Sequence, residues 1–134
     1  MINGIRIFLL FSPLLVISQT RVGEWKSYPS SLIVRETIEV DNLLLSATSG
    51  GILIYDRNSL TFETITNIDG LIETDLSVID VDKNGHLWLG SAEPRGVIQV
   101  YDFKSRKSIK TFNFDLWEIT ALSVSDSVVF AAYS

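Results

Sequence analysis

An acidic loop in the middle of the chain carries the side chains best suited to binding a metal. The run Asp80-Val81-Asp82-Lys83-Asn84-Gly85 places oxygen ligands at alternate positions before a glycine, as in the first half of a calcium-binding EF-hand loop. The twelfth position of such a loop should be a bidentate glutamate, but here it is Ser91, and no helical pattern flanks the loop. We therefore interpret the run as a β-hairpin turn, with Asn84-Gly85 as its type I′ centre, and predict no metal site.

His86 follows this loop and is the only histidine in the sequence. A histidine metal site or a catalytic dyad would need partner residues that the sequence does not supply. The sequence also contains no cysteine, which excludes disulfides, thiolate catalysis and cysteine metal sites. We expect His86 to be a strand residue beside the turn.

A basic cluster lies further along the chain, at Lys104, Arg106, Lys107 and Lys110. The protein as a whole carries a formal charge of −5, which disfavours a general nucleic-acid binder. We interpret the cluster as a solvated turn between two strands rather than as an anion-binding patch.

Trp88 and Tyr55 sit in apolar runs and are expected to pack in the core, since aromatic side chains bury large areas there. No two carboxylates can be placed in one cleft as a glycosidase would require. The sequence therefore predicts no catalytic residues, no cofactor and no enzymatic activity.

A repeat with a spacing of just over forty residues organises the chain. Ile38-x-Val40 recurs as Ile79-x-Val81 and as Leu122-x-Val124, each followed by a turn and a short apolar strand. The first two copies then reach a third strand ending in Ile54-Tyr55-Asp56 and Val100-Tyr101-Asp102. Four short strands in a period of ~40–45 residues are typical of a β-propeller blade.

This repeat predicts an all-β fold, a β-propeller fragment of about two and a half four-stranded antiparallel blades. Blade one covers about 34–66, blade two about 75–114, and half of blade three 119–134. A closed ring needs ~4–8 blades. We therefore interpret 19–134 as the N-terminal part of a propeller domain in a truncated chain.

The N-terminus has the three-part plan of a secretory signal peptide. One positive charge at Arg6 precedes an apolar core from Ile7 to Ile17, and Val16-Ile17-Ser18 resembles a cleavage site. The apolar run has eleven residues and contains Pro13, which is short for a membrane span of ~20 residues. We predict that 1–18 is a signal peptide, that the protein is exported to the periplasm or the cell surface, and that this fragment contains no membrane span.

Three segments resemble the two-component regulator propeller repeat. They are Asp69-Gly70-Leu71, the run from Asp82 to Gly90 with its Leu87-Trp88-Leu89-Gly90 ending, and the glycine turn and strand from Ser49 to Tyr55. The upstream segment Gly23-Glu24-Trp25-Lys26-Ser27-Tyr28 is similar to the start of the N-terminal propeller in PorZ-type components of the type IX secretion system.

The resemblance implies a non-enzymatic binding or scaffold propeller of the bacterial envelope, with a protein or a surface glycan as its partner. An alternative is the extracellular sensing propeller of a hybrid two-component histidine kinase, where the same repeat is common. A propeller lyase or glycosidase is a third class. Fold alone does not choose among them, because propellers host many functions.

Overall fold

The computed structural model describes residues 33–134, and within them all regular structure is β-strand apart from one 3₁₀ turn. The signal-peptide prediction and the segment from Trp25 to Tyr28 lie outside the described residues. No helix in 33–134 has the length and apolarity to cross a membrane. The strands are β1 (Val34–Val40), β2 (Leu43–Thr48), β3 (Gly51–Asp56), β4 (Thr61–Ile65), β5 (Leu76–Val81), β6 (Leu87–Ser91), β7 (Gly96–Asp102), β8 (Lys107–Leu116), β9 (Ile119–Val124) and β10 (Val129–Tyr133).

These strands form three antiparallel sheets. Two have four strands each, in the orders β1-β2-β3-β4 and β5-β6-β7-β8, and the third consists of β9 and β10. We call them blade one, blade two and half-blade three. Every strand follows its chain neighbour through a short connection, so each sheet is a simple meander. The predicted fold class, two and a half four-stranded antiparallel blades, is confirmed.

The blades pack face to face, because each sheet carries apolar side chains on both of its faces. Leu45 and Ile65 of blade one are fully buried against Leu89 and Tyr101 of blade two, within the larger of the two cores. The smaller core joins blade two to half-blade three and is centred on Ile119. Burial on both faces explains why the apolar runs of the sequence lack strict alternation.

The repeat Ile-x-Val does not mark structurally equivalent positions in blades one and two. Ile38 pairs with Leu45 and faces blade two, whereas Ile79 pairs with Leu89 and faces blade one. Because side chains alternate along a strand, an offset of one residue moves a side chain to the opposite face. The alignment of these two copies was therefore wrong by one residue, and the Tyr-Asp dipeptide at the end of β3 and β7 gives the correct register.

Carboxylates join the innermost strands of neighbouring blades. Glu36 on β1 accepts a hydrogen bond of 2.8 Å from the backbone N–H of Ile79 on β5. Asp80 on β5 accepts one of 2.7 Å from the backbone N–H of Val124 on β9. The same kind of contact, a carboxylate that accepts a hydrogen bond from a backbone N–H of the next blade, therefore joins the inner strands at both interfaces.

The connection from blade one to blade two is held by two buried side chains of β7. The Gln99 amide donates to the carbonyl of Gly70 and accepts from the N–H of Ile72, both at 3.0 Å. The Tyr101 hydroxyl donates to the carbonyl of Asp69 at 2.6 Å. These contacts give hydrogen-bond partners to three backbone groups of the connection.

Candidate functional site

The acidic loop is a structural turn, as its interpretation from sequence predicted. Asp80 accepts hydrogen bonds from the N–H of Val81 at 2.8 Å and, across the blade interface, from that of Val124 at 2.7 Å. Both of its carboxylate oxygens are thus engaged by backbone amides. Among residues 33–134, no three acidic or histidine side chains are grouped as a metal ion would require.

Asp82 organises the turn itself. Its carboxylate accepts from the N–H of Asn84 at 2.8 Å and from that of His86 at 2.9 Å. Partial burial alone would raise the pKa of Asp82, but the amide hydrogen bonds outweigh burial and hold that pKa below its ordinary value. Within the turn only Gly85 has a positive φ, of 81°. The type I′ prediction for Asn84-Gly85 is therefore wrong, because that turn needs positive φ at both residues.

His86 lies immediately before β6, rather than within the strand as expected. Its Nδ1 is 3.3 Å from the Asp82 carboxylate, and its side chain is partly exposed. His86 thus pairs with the residue that orders the turn.

The basic cluster does not form one surface. Arg106 turns back toward blade one, where it forms ion pairs with Asp69 at 2.9 Å and with Glu63. The ammonium group of Lys110 lies 4.7 Å from the centre of the Phe112 ring, a cation–π contact on another face of the blade. Lys104 and Arg106 lie in the turn between β7 and β8, as interpreted, whereas Lys107 and Lys110 belong to β8.

An apolar groove lies between the outer half of blade two and β10. Its volume is about 520 Å³. Along its floor the ring centroids of Trp88 and Phe112 are 6.0 Å apart, and those of Phe112 and Phe114 are 6.2 Å apart, in near-parallel stacks. We call this feature the β8–β10 groove; its lining residues are Trp88, Ile98, Phe112, Phe114 and Leu116 of blade two or its end, and Val129, Ala131 and Tyr133 of β10.

Trp88 is only half-buried in this groove, although we expected it to be a packing residue of the core. Its inner part packs beside the small core with Ile119, but no strand of the described residues covers the rest. Trp88 therefore packs at the interface with half-blade three, but the expectation of full burial in the core is wrong.

Sequence reasoning did not single out Phe112 and Phe114 as site residues. Their alternation with Asn113 is typical of a strand such as β8. The exposure of their common face depends on what packs against it from another part of the fold. That information is not local, so no pattern within β8 could have revealed the groove.

Comparisons with known proteins support the fold alone. No protein-family model matches the sequence, and no curated protein matches it. A chain of WD40 propeller fold in the crystal structure of the mitotic checkpoint complex is similar to this protein, with a TM-score of 0.55 and 16% sequence identity. The match covers 83% of this chain and 38% of that chain. The described residues therefore form part of a β-propeller.

Proposed function

We propose that this protein is a non-enzymatic binding or scaffold module built on a β-propeller and located in the bacterial cell envelope. The observation that carries the proposal is the fold, a stack of antiparallel blades similar to the propeller chain of the mitotic checkpoint complex, with an apolar concave surface between blade two and half-blade three. Apolar grooves with aromatic walls are typical of recognition surfaces.

The polar groups near the groove support binding over catalysis. The carboxylates of Asp80 and Asp82 already accept hydrogen bonds from backbone amides. A general acid or base needs a carboxylate that is free to exchange a proton with a substrate. These two instead serve the blade interface and the turn.

The location in the envelope rests on the N-terminal pattern and on the resemblance to PorZ-type propellers. A charged start, an apolar core and a small-residue site are the features that direct export. The partner would be a protein or a surface glycan of the envelope, within the type IX secretion system.

The proposal is tested in a bacterium that carries the gene together with a type IX secretion system. We expect the exported protein to begin at Gln19, by N-terminal sequencing of the envelope fraction. Deletion of the gene should cause type IX cargo to accumulate in the periplasm, and the wild-type gene should restore its release.

Two results would contradict this proposal. A mature protein that begins at Met1 and stays in the cytoplasm would remove the envelope location. A deletion that leaves secretion intact but abolishes a transcriptional response to an external ligand would instead favour the sensing propeller of a two-component kinase.

A further inference from the structure

The turn between β5 and β6 contains an asparagine followed directly by a glycine, Asn84-Gly85. In such a pair the backbone nitrogen of the glycine can attack the side-chain Cγ of the asparagine, because glycine has no Cβ to hinder the approach. Asn84 is exposed, and among the described residues no hydrogen bond holds its side-chain amide. A Cβ added at Gly85 would meet no atom within 4 Å. The residue pair and its open surroundings therefore favour this attack.

The folded turn restrains the same two residues. The N–H of Gly85 donates a hydrogen bond of 2.9 Å to the carbonyl of Asp82, so the attacking nitrogen is already engaged. The carboxylate of Asp82 accepts hydrogen bonds from the N–H of Asn84 at 2.8 Å and from that of His86 at 2.9 Å. These contacts fix the backbone on both sides of Gly85. The attack therefore requires the turn to open.

We infer that Asn84 is a site of intramolecular deamidation, and that Asp82 sets its rate by keeping the turn closed. The nitrogen of Gly85 loses its proton and bonds to Cγ of Asn84, and the side-chain nitrogen of Asn84 takes up a proton and leaves as ammonia. The product is a succinimide ring. Water then opens the ring at either of its carbonyls and leaves aspartate or isoaspartate at position 84. The reaction needs water and no other reagent.

The product would alter the contact between blade two and half-blade three. Asn84, Asp82 and Asp126 line one cleft between the β5–β6 turn and the β9–β10 turn, together with Lys83. Deamidation would add a third carboxylate to this cleft, and like charges repel one another. Isoaspartate would also lengthen the backbone of the turn by a methylene group and so displace the N–H groups that Asp82 binds. We expect the deamidated chain to be less stable to urea than the intact chain.

Asn58 of blade one is a matched control within the same protein. It is exposed, and its N–H donates to the carboxylate of Asp56 at 2.8 Å, as the N–H of Asn84 does to Asp82. The residue after Asn58 is Ser59, whose side chain hinders attack by its own nitrogen. We therefore expect Asn84 to be converted faster than Asn58.

The experiment is an incubation of the purified full chain at neutral and at mildly alkaline pH. Samples are digested at intervals, and mass spectrometry locates aspartate and isoaspartate in each peptide. The other Asn-Gly pair, Asn3-Gly4, lies outside the described residues and falls in a different peptide. We expect both products at position 84, at a rate that rises with pH because the attacking nitrogen must lose its proton.

Two substitutions separate the restraint from the chemistry. We expect Asp82→Ala to speed the conversion of Asn84 about fivefold or more, because the turn loses two of its hydrogen bonds. We expect Gly85→Ala to slow it, although alanine is unfavourable at the positive φ of this position and loosens the turn. Circular dichroism establishes that each variant is folded. If Asp82→Ala does not fold, Asp82→Asn, which keeps an acceptor oxygen, replaces it and should also exceed the wild-type rate.

Four results would overturn the inference. Asn84 could be converted no faster than Asn58 in both the wild type and the Asp82 variant, or the Asp82 variant could react at the wild-type rate. Gly85→Ala could react as fast as the wild type, or aspartate could form without isoaspartate, which would indicate direct hydrolysis by water. These measurements involve no secretion partner, so their outcome is independent of the proposed function.

Discussion

We expect Gly90→Ala to weaken the packing of half-blade three against blade two and so to destabilise the protein. A methyl group at this position would lie 2.5 Å from Cγ2 of Val78 and 2.7 Å from Cγ2 of Ile119. Ile119 is fully buried and cannot rotate into solvent. The glycine that ends the Leu87-Trp88-Leu89-Gly90 motif is thus required because two blades approach closely at its Cα.

The expected loss follows from the movement needed to restore ordinary contacts. Overpacking of this kind costs about 1–3 kcal/mol. A shift of β9 away from blade two would also stretch the 2.7 Å hydrogen bond from the Val124 N–H to Asp80, which contributes about 1 kcal/mol. We expect Gly90→Ala to lower the free energy of unfolding by roughly 2–4 kcal/mol in total.

Urea denaturation of the full chain, followed by circular dichroism, measures this loss. Gly85→Ala is the control: nothing lies within 4 Å of its new methyl group, and only its φ of 81° is unfavourable, at a cost of about 1 kcal/mol. Val78→Ala combined with Gly90→Ala should be less destabilised than the sum of the single variants, because the smaller side chain makes room. A loss in Gly90→Ala no larger than in Gly85→Ala would refute the close approach of the blades.

Three further outcomes are expected in urea denaturation. Trp88→Ala should cost about 2 kcal/mol, below the value for a fully buried tryptophan, because the side chain is only half-buried; a loss above about 4 kcal/mol would mean that the groove is closed. Tyr101→Phe should cost about 1–2 kcal/mol, because the Asp69 carbonyl loses its 2.6 Å donor; an unchanged stability would show that water replaces it. The Ser105 hydroxyl, and then backbone amides, hold the pKa of Asp102 below its ordinary value. The wild type should therefore be more stable to unfolding than Asp102→Asn, with the full difference above pH ~5 and none as the pH falls below ~4. A difference that grows toward low pH would contradict this pairing.

Local signals predicted the strands and turns because their causes lie within a few residues. Asp56 accepts hydrogen bonds from the N–H groups of Asn58 and Ser59, and Asp102 does the same in the next blade. The repeated Tyr-Asp dipeptide therefore has a mechanism that can be read from sequence: an aspartate that closes the turn after the third strand.

Nonlocal features were less predictable. Ile38 and Ile79 share a sequence pattern, yet they face opposite directions, because the pairing of β1 with β2 and that of β5 with β6 differ by one residue. The exposure of Phe114 depends on which strands pack against blade two, which no window of sequence within β8 contains. Fold class was thus accessible from the repeat, whereas the groove required the tertiary arrangement.

Each of the two carboxylates on the inner strands accepts its hydrogen bond from the blade that follows in the chain. This shared direction suits assembly of the blades in sequence order. Glu36 in blade one receives an amide from blade two, and Asp80 in blade two receives an amide from half-blade three. Each blade, once formed, presents an acceptor to the first strand of the blade that follows it in the chain. The propeller can therefore assemble from its N-terminal blade onward, with each blade positioning the next.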